Sequence, residues 1–149
     1  MQSLSILRYV GRLGNLYPQD INEAYTVDST LDATKDFVEA VVKVWFLKEE
    51  EAKKAASEEI LTNTFPKFAK FINERLEKNG NKHFIAGNAL SIADVWLAVV
   101  AANWYDEKSP FFASLQETVN ANPALKHFAE HHLNHTLKAY IAARPETPI

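Results

Sequence analysis

The order of apolar and polar positions along the chain predicts a series of helices and no strand. No stretch alternates with the period of two expected of a half-buried strand, whereas apolar residues recur at spacings of three, four and seven. Leu4, Leu7 and Val10 form one stripe of a first helix over about Ser3 to Leu13, which Gly14-Asn15 closes. After a connector from Leu16 to Ile21 that contains Pro18, a long helix is expected from about Asn22 to Lys48. Its core stripe is Val27, Leu31, Val38, Val42 and Trp45.

The charged run Glu49 to Lys54 reads as a solvated turn and the start of another helix, which extends toward Lys78. Pro66 should interrupt that helix, because proline removes a backbone donor and crowds the preceding turn. Phe65, Phe68, Phe71 and Ile72 make its apolar face, and Asn79-Gly80-Asn81 ends it. A last long helix starts at Asn122-Pro123 and runs through Leu125, Phe128, His132 and Leu137 toward Ala143, with Arg144-Pro145 as its stop.

The sharpest local signal is Ser91 followed three residues later by Asp94, at the head of an apolar helix. In such a capping box the serine oxygen accepts from the Asp94 amide, and the Asp94 carboxylate reaches back to the Ser91 amide. Leu90 and Val95 occupy the positions of the accompanying hydrophobic staple.

Composition narrows the partners. With 149 residues, 47% hydrophobic and 23% charged, the chain has the makeup of one folded domain. A net charge of −3 argues against nucleic acid and against an anionic membrane surface, both of which select basic proteins. The longest apolar run, Val95 to Ala102, is far short of the roughly 18 residues that span a bilayer. The absence of cysteine excludes disulfides, a thiol nucleophile and cysteine zinc sites. Met1 to Gln19 holds no acidic residue but carries Arg8 and Arg12, as mitochondrial presequences do, although an ordinary helix of the folded protein is the preferred reading. His127, His131 and His135 share one helix face and could chelate a divalent ion in pairs. With no further ligand set nearby in sequence, a solvated histidine face is expected and no metal is assigned.

Three segments in order and in register carry a resemblance. Gln2-Ser3-Leu4-Ser5-Ile6-Leu7-Arg8-Tyr9-Val10-Gly11-Arg12, then Phe84-Ile85-Ala86-Gly87-Asn88 through Ser91-Ile92-Ala93-Asp94, and finally Ala143-Arg144-Pro145-Glu146-Thr147 resemble the cytosolic glutathione transferases of the pi and sigma classes. The resemblance implies an all-α fold, the C-terminal-type helical bundle of that family. Residues 1–15 would be the last helix of a thioredoxin-like domain, 16–21 a linker, and 22–149 the helical domain. It also implies a cytoplasmic homodimer and glutathione as cosubstrate, with no other cofactor. The remainder of the thioredoxin-like domain, with the residue that stabilises the glutathione thiolate, has no counterpart in this sequence, so no catalytic residue is assigned. Tyr9 and Tyr17 fall on the wrong side of the motif to replace it.

The remaining roles are implied residue by residue. Gln2 and Ser3 match the pair that holds the γ-glutamyl end, although Ser3 read alone is a helix cap. Asp36 matches the acid that reaches the γ-glutamyl amine in the neighbouring subunit, with Asp32 as a second candidate; read alone, both are solvated carboxylates. Arg12 and Asp28 match charged contacts across the dimer. Phe46 matches a position lining the electrophile pocket, and read alone is equally a core aromatic. Two functions follow: glutathione conjugation to electrophiles, or a non-catalytic binding or scaffold module of the same fold.

Overall fold

The computed structural model describes residues 2–143, and among them every regular element is helical. The sequence stop Arg144-Pro145 and the closing motif through Thr147 lie outside the described residues. In chain order the elements are α1 (Ser3–Leu13), α2 (Ile21–Trp45), α3 (Glu50–Glu59), α4 (Phe65–Asn79), α5 (Ile92–Ala102), α6 (Phe112–Asn120), α7 (Pro123–Asn134) and α8 (Lys138–Ala143). A π-helical turn over Ile60–Thr64 joins α3 to α4, and a 3-10 turn over Asn103–Tyr105 follows α5.

Local chemistry accounts for most boundaries. α1 ends where Asn15 takes a left-handed φ of 56°, and the Leu16 amide returns to the Gly11 carbonyl at 2.8 Å. α2 begins at Asp20, whose carboxylate accepts from the Asn22 and Glu23 amides and so satisfies two donors of the open first turn. Ahead of Pro66, the chain inserts a π-helical turn instead of a kink in a continuous α-helix. Gly80, at φ 73°, closes α4 in the left-handed conformation that costs glycine little.

α5 is the central element and packs against α2 and α7, while α4 closes the other side against α7. Val27, Leu31 and Phe37 of α2, Phe65, Phe68, Ile72 and Leu76 of α4, Leu97 and Ala101 of α5, and Leu125 and Phe128 of α7 form one continuous core. Each fully buried aliphatic or aromatic side chain contributes on the order of 1.5–3 kcal/mol. Phe37 stacks on Phe68 at 4.6 Å, and Phe65 tilts against Trp104 at 5.1 Å. Arg75 ties α4 to α2 through Nη1, which donates to the Thr26 carbonyl, Ser29 Oγ and Thr30 Oγ1 at 2.7–2.9 Å.

Four expectations need correction. Val10 is exposed, and Gly11 takes its place at the interface: a Cβ there would collide with Ile92, so a hydrogen is what lets α1 sit on the start of α5. The second half of the α2 stripe leaves the core, with Val38 and Val42 half-buried and Trp45 61% exposed. α6, which sequence reading missed, buries Val119 and half-buries Phe112 and Leu115, the amphipathic spacing that could have revealed it. Finally, α7 stops at Asn134 instead of running on to Ala143. The Leu137 amide reaches back to the His132 carbonyl at 2.8 Å, which turns the chain so that Leu137 is buried.

Candidate functional site

The Ser91–Asp94 turn sits where the loop after α4 meets α5. Asp94 is fully buried. One carboxylate oxygen accepts from the Ser91 amide and the Ser91 hydroxyl, both at 2.7 Å, and the other accepts from the Ile85 amide at 2.7 Å. The reciprocal bond, from the Asp94 amide to Ser91 Oγ, is longer at 3.5 Å. Burial pushes the Asp94 carboxyl up to about 6, opposed by these hydrogen bonds. The Ile92 amide donates to the Leu16 carbonyl at 2.8 Å, so the same turn anchors the connector after α1. Asn79 braces the loop from its other end: its amide donates to the carbonyls of Phe84 and Gly87, and its oxygen accepts from the Gly87 amide.

Along the α1–α2 face the structure assembles a charged network centred on Asp28. Arg8 Nε donates to Asp28 Oδ1 at 2.7 Å, and Arg8 Nη2 to Asp32 Oδ1 at 3.0 Å. Tyr17 donates its hydroxyl to Asp28 Oδ2 at 2.7 Å, while Arg12 lies over the Tyr17 ring, 4.7 Å from its centroid. Burial and the bond to Asp28 both raise the Tyr17 phenol, so it keeps its proton and is committed to a carboxylate. The bond to Asp28 also raises the Arg8 guanidinium, against partial burial. Arg8 and Tyr17 are thus the partners that connect Asp28 to Arg12. Sequence reading passed over Arg8 because nothing local links it to a residue 20 positions away.

Gln2 and Ser3 stand exposed at the head of α1. Gln2 occupies the cap position, its carbonyl accepting from the Ser5 and Ile6 amides, and its side chain makes no capping bond. Ser3 is the first helical residue, so it is not the cap. Among the described residues neither side chain has a hydrogen-bond partner. Asp36 is exposed on α2, where its neighbour Lys35 pairs with Glu39 at 3.0 Å.

An apolar recess lies on the other side of α2. A cleft of about 470 Å³ opens between the C-terminal half of α2, the π-helical turn, the end of α5 and the start of α6. Val38, Val41, Trp45, Leu61, Val100 and Phe111 furnish much of its wall, with Asn103, Asp106 and Ser109 as polar points. Phe46, expected in the pocket, is 78% exposed at the end of α2 and does not line it; its neighbour Trp45 does. A shift of one residue turns a helical side chain by roughly 100°, which separates the two.

The histidines of α7 are joined by His83 from the loop, whose ring lies 4.1 Å from that of His131 and 4.8 Å from that of His127. Among the described residues, no three histidine, aspartate or glutamate groups converge as metal ligands would. No helix among them is long and apolar enough to cross a membrane.

Comparison with known proteins places this geometry. Residues 35–144 match the family described as glutathione S-transferase, C-terminal domain. Hematopoietic prostaglandin D synthase of Gallus gallus is 29% identical over 99% of this chain and 69% of its own length. Glutathione S-transferase A4 of Homo sapiens is 30% identical over 87% of this chain and 60% of its own. A crystal structure of a monomeric glutathione S-transferase from the hookworm Necator americanus superposes with a TM-score of 0.80 at 27% identity, covering 99% of this chain and 70% of that one. The chain therefore spans 60–69% of the length of these two curated relatives. With the family match covering α3 to α8 and most of the core, the chain belongs to the glutathione S-transferase C-terminal domain family.

Proposed function

We propose that this chain forms the helical part of a glutathione transferase and supplies the electrophile side of its site. The apolar cleft beside Trp45 carries the reading: walled by valines, leucine and aromatics, it suits an uncharged electrophile better than a peptide or an anion. Conjugation requires the glutathione thiolate as nucleophile, and so a group that lowers the thiol pKa. Tyr17 is committed to Asp28, and in this reading the activating group comes from a thioredoxin-like domain. Gln2 and Ser3, whose side chains bond to none of the described residues at the head of α1, would hold the γ-glutamyl end. Asp36 would reach the γ-glutamyl amine across a cytoplasmic homodimer, with Arg12 and Asp28 near the contact. One observation favours the second reading, a binding or scaffold module: Ile6, Tyr9, Val10 and Leu13 leave an exposed apolar face on α1.

The test is calorimetric titration of the purified chain with glutathione, together with its mass in solution and its conjugation rate with a chloronitrobenzene. Glutathione binding by a dimer with negligible turnover is the expected result. Absence of binding by a chain that is stable only with a partner protein would move the assignment to the scaffold reading. Robust turnover by the chain alone would overturn the claim that the activating group lies elsewhere.

A further inference from the structure

All five histidines of the chain meet on one seam. Three of them, His127, His131 and His132, lie on α7; His135 follows its last turn, and His83 comes from the loop over residues 80–91 that leads into α5. The His131 ring is the hub, 4.1 Å from His83, 5.2 Å from His132 and 4.9 Å from His135.

One of the five is also the clasp. Fully buried His132 bonds through Nε2 to the His83 carbonyl at 2.7 Å and through Nδ1 to Thr136 Oγ1 at 2.8 Å. A carbonyl only accepts, so Nε2 carries the hydrogen and Nδ1 accepts from the Thr136 hydroxyl. A second proton on this ring would have to enter at Nδ1, reversing the Thr136 bond and placing a charge in the core.

The surroundings offer nothing to neutralise such a charge. The titratable groups acting on His132 are His131 and His83, and those acting on His131 are His83, His135 and His127. No carboxylate within ion-pair distance of any of the five occurs among the described residues. From the elements packed on α7, α4 presents neutral Asn73, whose oxygen takes the Ala124 and Leu125 amides. The Asp94 carboxylate of α5 is turned to Ile85 and Ser91, and Glu130 on α7 itself lies 3.9 Å from Lys126. Ring contacts, not ring-to-ring hydrogen bonds, hold the seam, and among the described residues the buried Nδ1 of His83 has no partner. A proton on one ring therefore meets no carboxylate among the described residues, and it repels a second proton on any neighbouring ring.

We propose that the histidine seam is an acid-released clip, in which protonation of the cluster detaches the 80–91 loop from α7 while the rest of the bundle stays folded. Because imidazoles take up protons between pH 5 and 8, release falls in a mildly acidic range. It would reach the Ile85 amide first, and through it the Ser91–Asp94 turn on which α1 is seated.

The test is hydrogen exchange of the whole chain from pH 7.5 to 5.5, corrected for the intrinsic pH dependence of exchange. Protection of the Ile85 and Gly87 amides should fall by about tenfold or more on acidification, while the α4 amides keep theirs. The variant His83→Gln/His127→Gln/His131→Gln leaves the His132 clasp and the His83 carbonyl in place, and should hold its loop protection to a pH about one unit lower. Three results would overturn the proposal: unchanged loop protection at pH 5.5, loss of loop and α4 protection together, or loss at the same pH in the variant. His132→Gln is unsuited as the primary probe because a change at a fully buried clasp can simply unfold the chain.

Discussion

The two ends of α5 face opposite requirements. At its N-terminus the Ser91–Asp94 turn is buried, with a carboxylate taking three hydrogen bonds of 2.7 Å and Ile92 packed under Gly11. Two turns later Val99 and Val100 face the cleft, where Trp45 and Phe111 remain partly in solvent. The first region fixes the chain, since leaving any of its buried donors unpaired is costly. The second is left incompletely filled, which in the proposed reading leaves room for a ligand. One helix joins a rigid anchor to an adaptable wall, so substitutions at its two ends should act on different observables.

The largest effect should come from Asp94→Ala, which strands the Ile85 and Ser91 amides and removes the N-terminal box. A loss of about 3 kcal/mol or more in urea unfolding is expected. Its pH dependence sharpens the point. The folded-state carboxyl lies near 6, above its ordinary value of 3.8, so below pH 6 the folded state of the parent chain holds a proton that the unfolded state lacks. Its stability from this group rises as pH falls from 6 toward 4, and the gap between parent and variant should widen by about 1 kcal/mol between pH 7 and 5. The histidines of the α7 seam pull the other way, since burial lowers His131 and His132, and release of the 80–91 loop would take the Ile85 amide from Asp94. Both proteins are therefore compared in the His83→Gln/His127→Gln/His131→Gln background, where the loop holds to lower pH. A gap that narrows on acidification would show that hydrogen bonding outweighs burial at Asp94.

Gly11→Ala comes next, at about 1–3 kcal/mol, because the added methyl must displace the β-branched Ile92 side chain at the α1–α5 contact. Thermal or urea unfolding reads it, and a neutral result would mean that α1 can shift without loosening α5. The smallest stability change is expected at the cleft. Trp45→Ala removes a side chain from a 61% exposed residue and should move stability by no more than about 0.5 kcal/mol. The same variant should weaken binding of an apolar fluorescent probe by about three- to tenfold, the worth of one aromatic contact. Equal losses of stability and binding would erase the distinction between anchor and wall.

Much of the anchor was legible in the sequence. Ser91 and Asp94 are three residues apart, and a capping box depends on that spacing and on side-chain chemistry alone. The cleft was less legible. Trp45 and Phe46 are both large and apolar, and which of them lines a wall depends on where α2 ends and on which helices pack beside it. Asp28 was visible as a candidate, but its partners Arg8 and Tyr17 lie 20 and 11 residues away, and no periodicity reports such distances.

The sequence by itself determined the helical class, the bounds of α1, the starts of α2, α5 and α7, and the capped entry to α5. These depend on interactions within about four residues, which a linear pattern records directly. Only the tertiary structure decided that Gly11 and not Val10 meets α5, that α7 turns at His135, and that His83 crosses 49 positions to clasp His132. Those outcomes depend on which surfaces the packed helices leave to one another, and burial is a property of the assembled core and not of any segment alone.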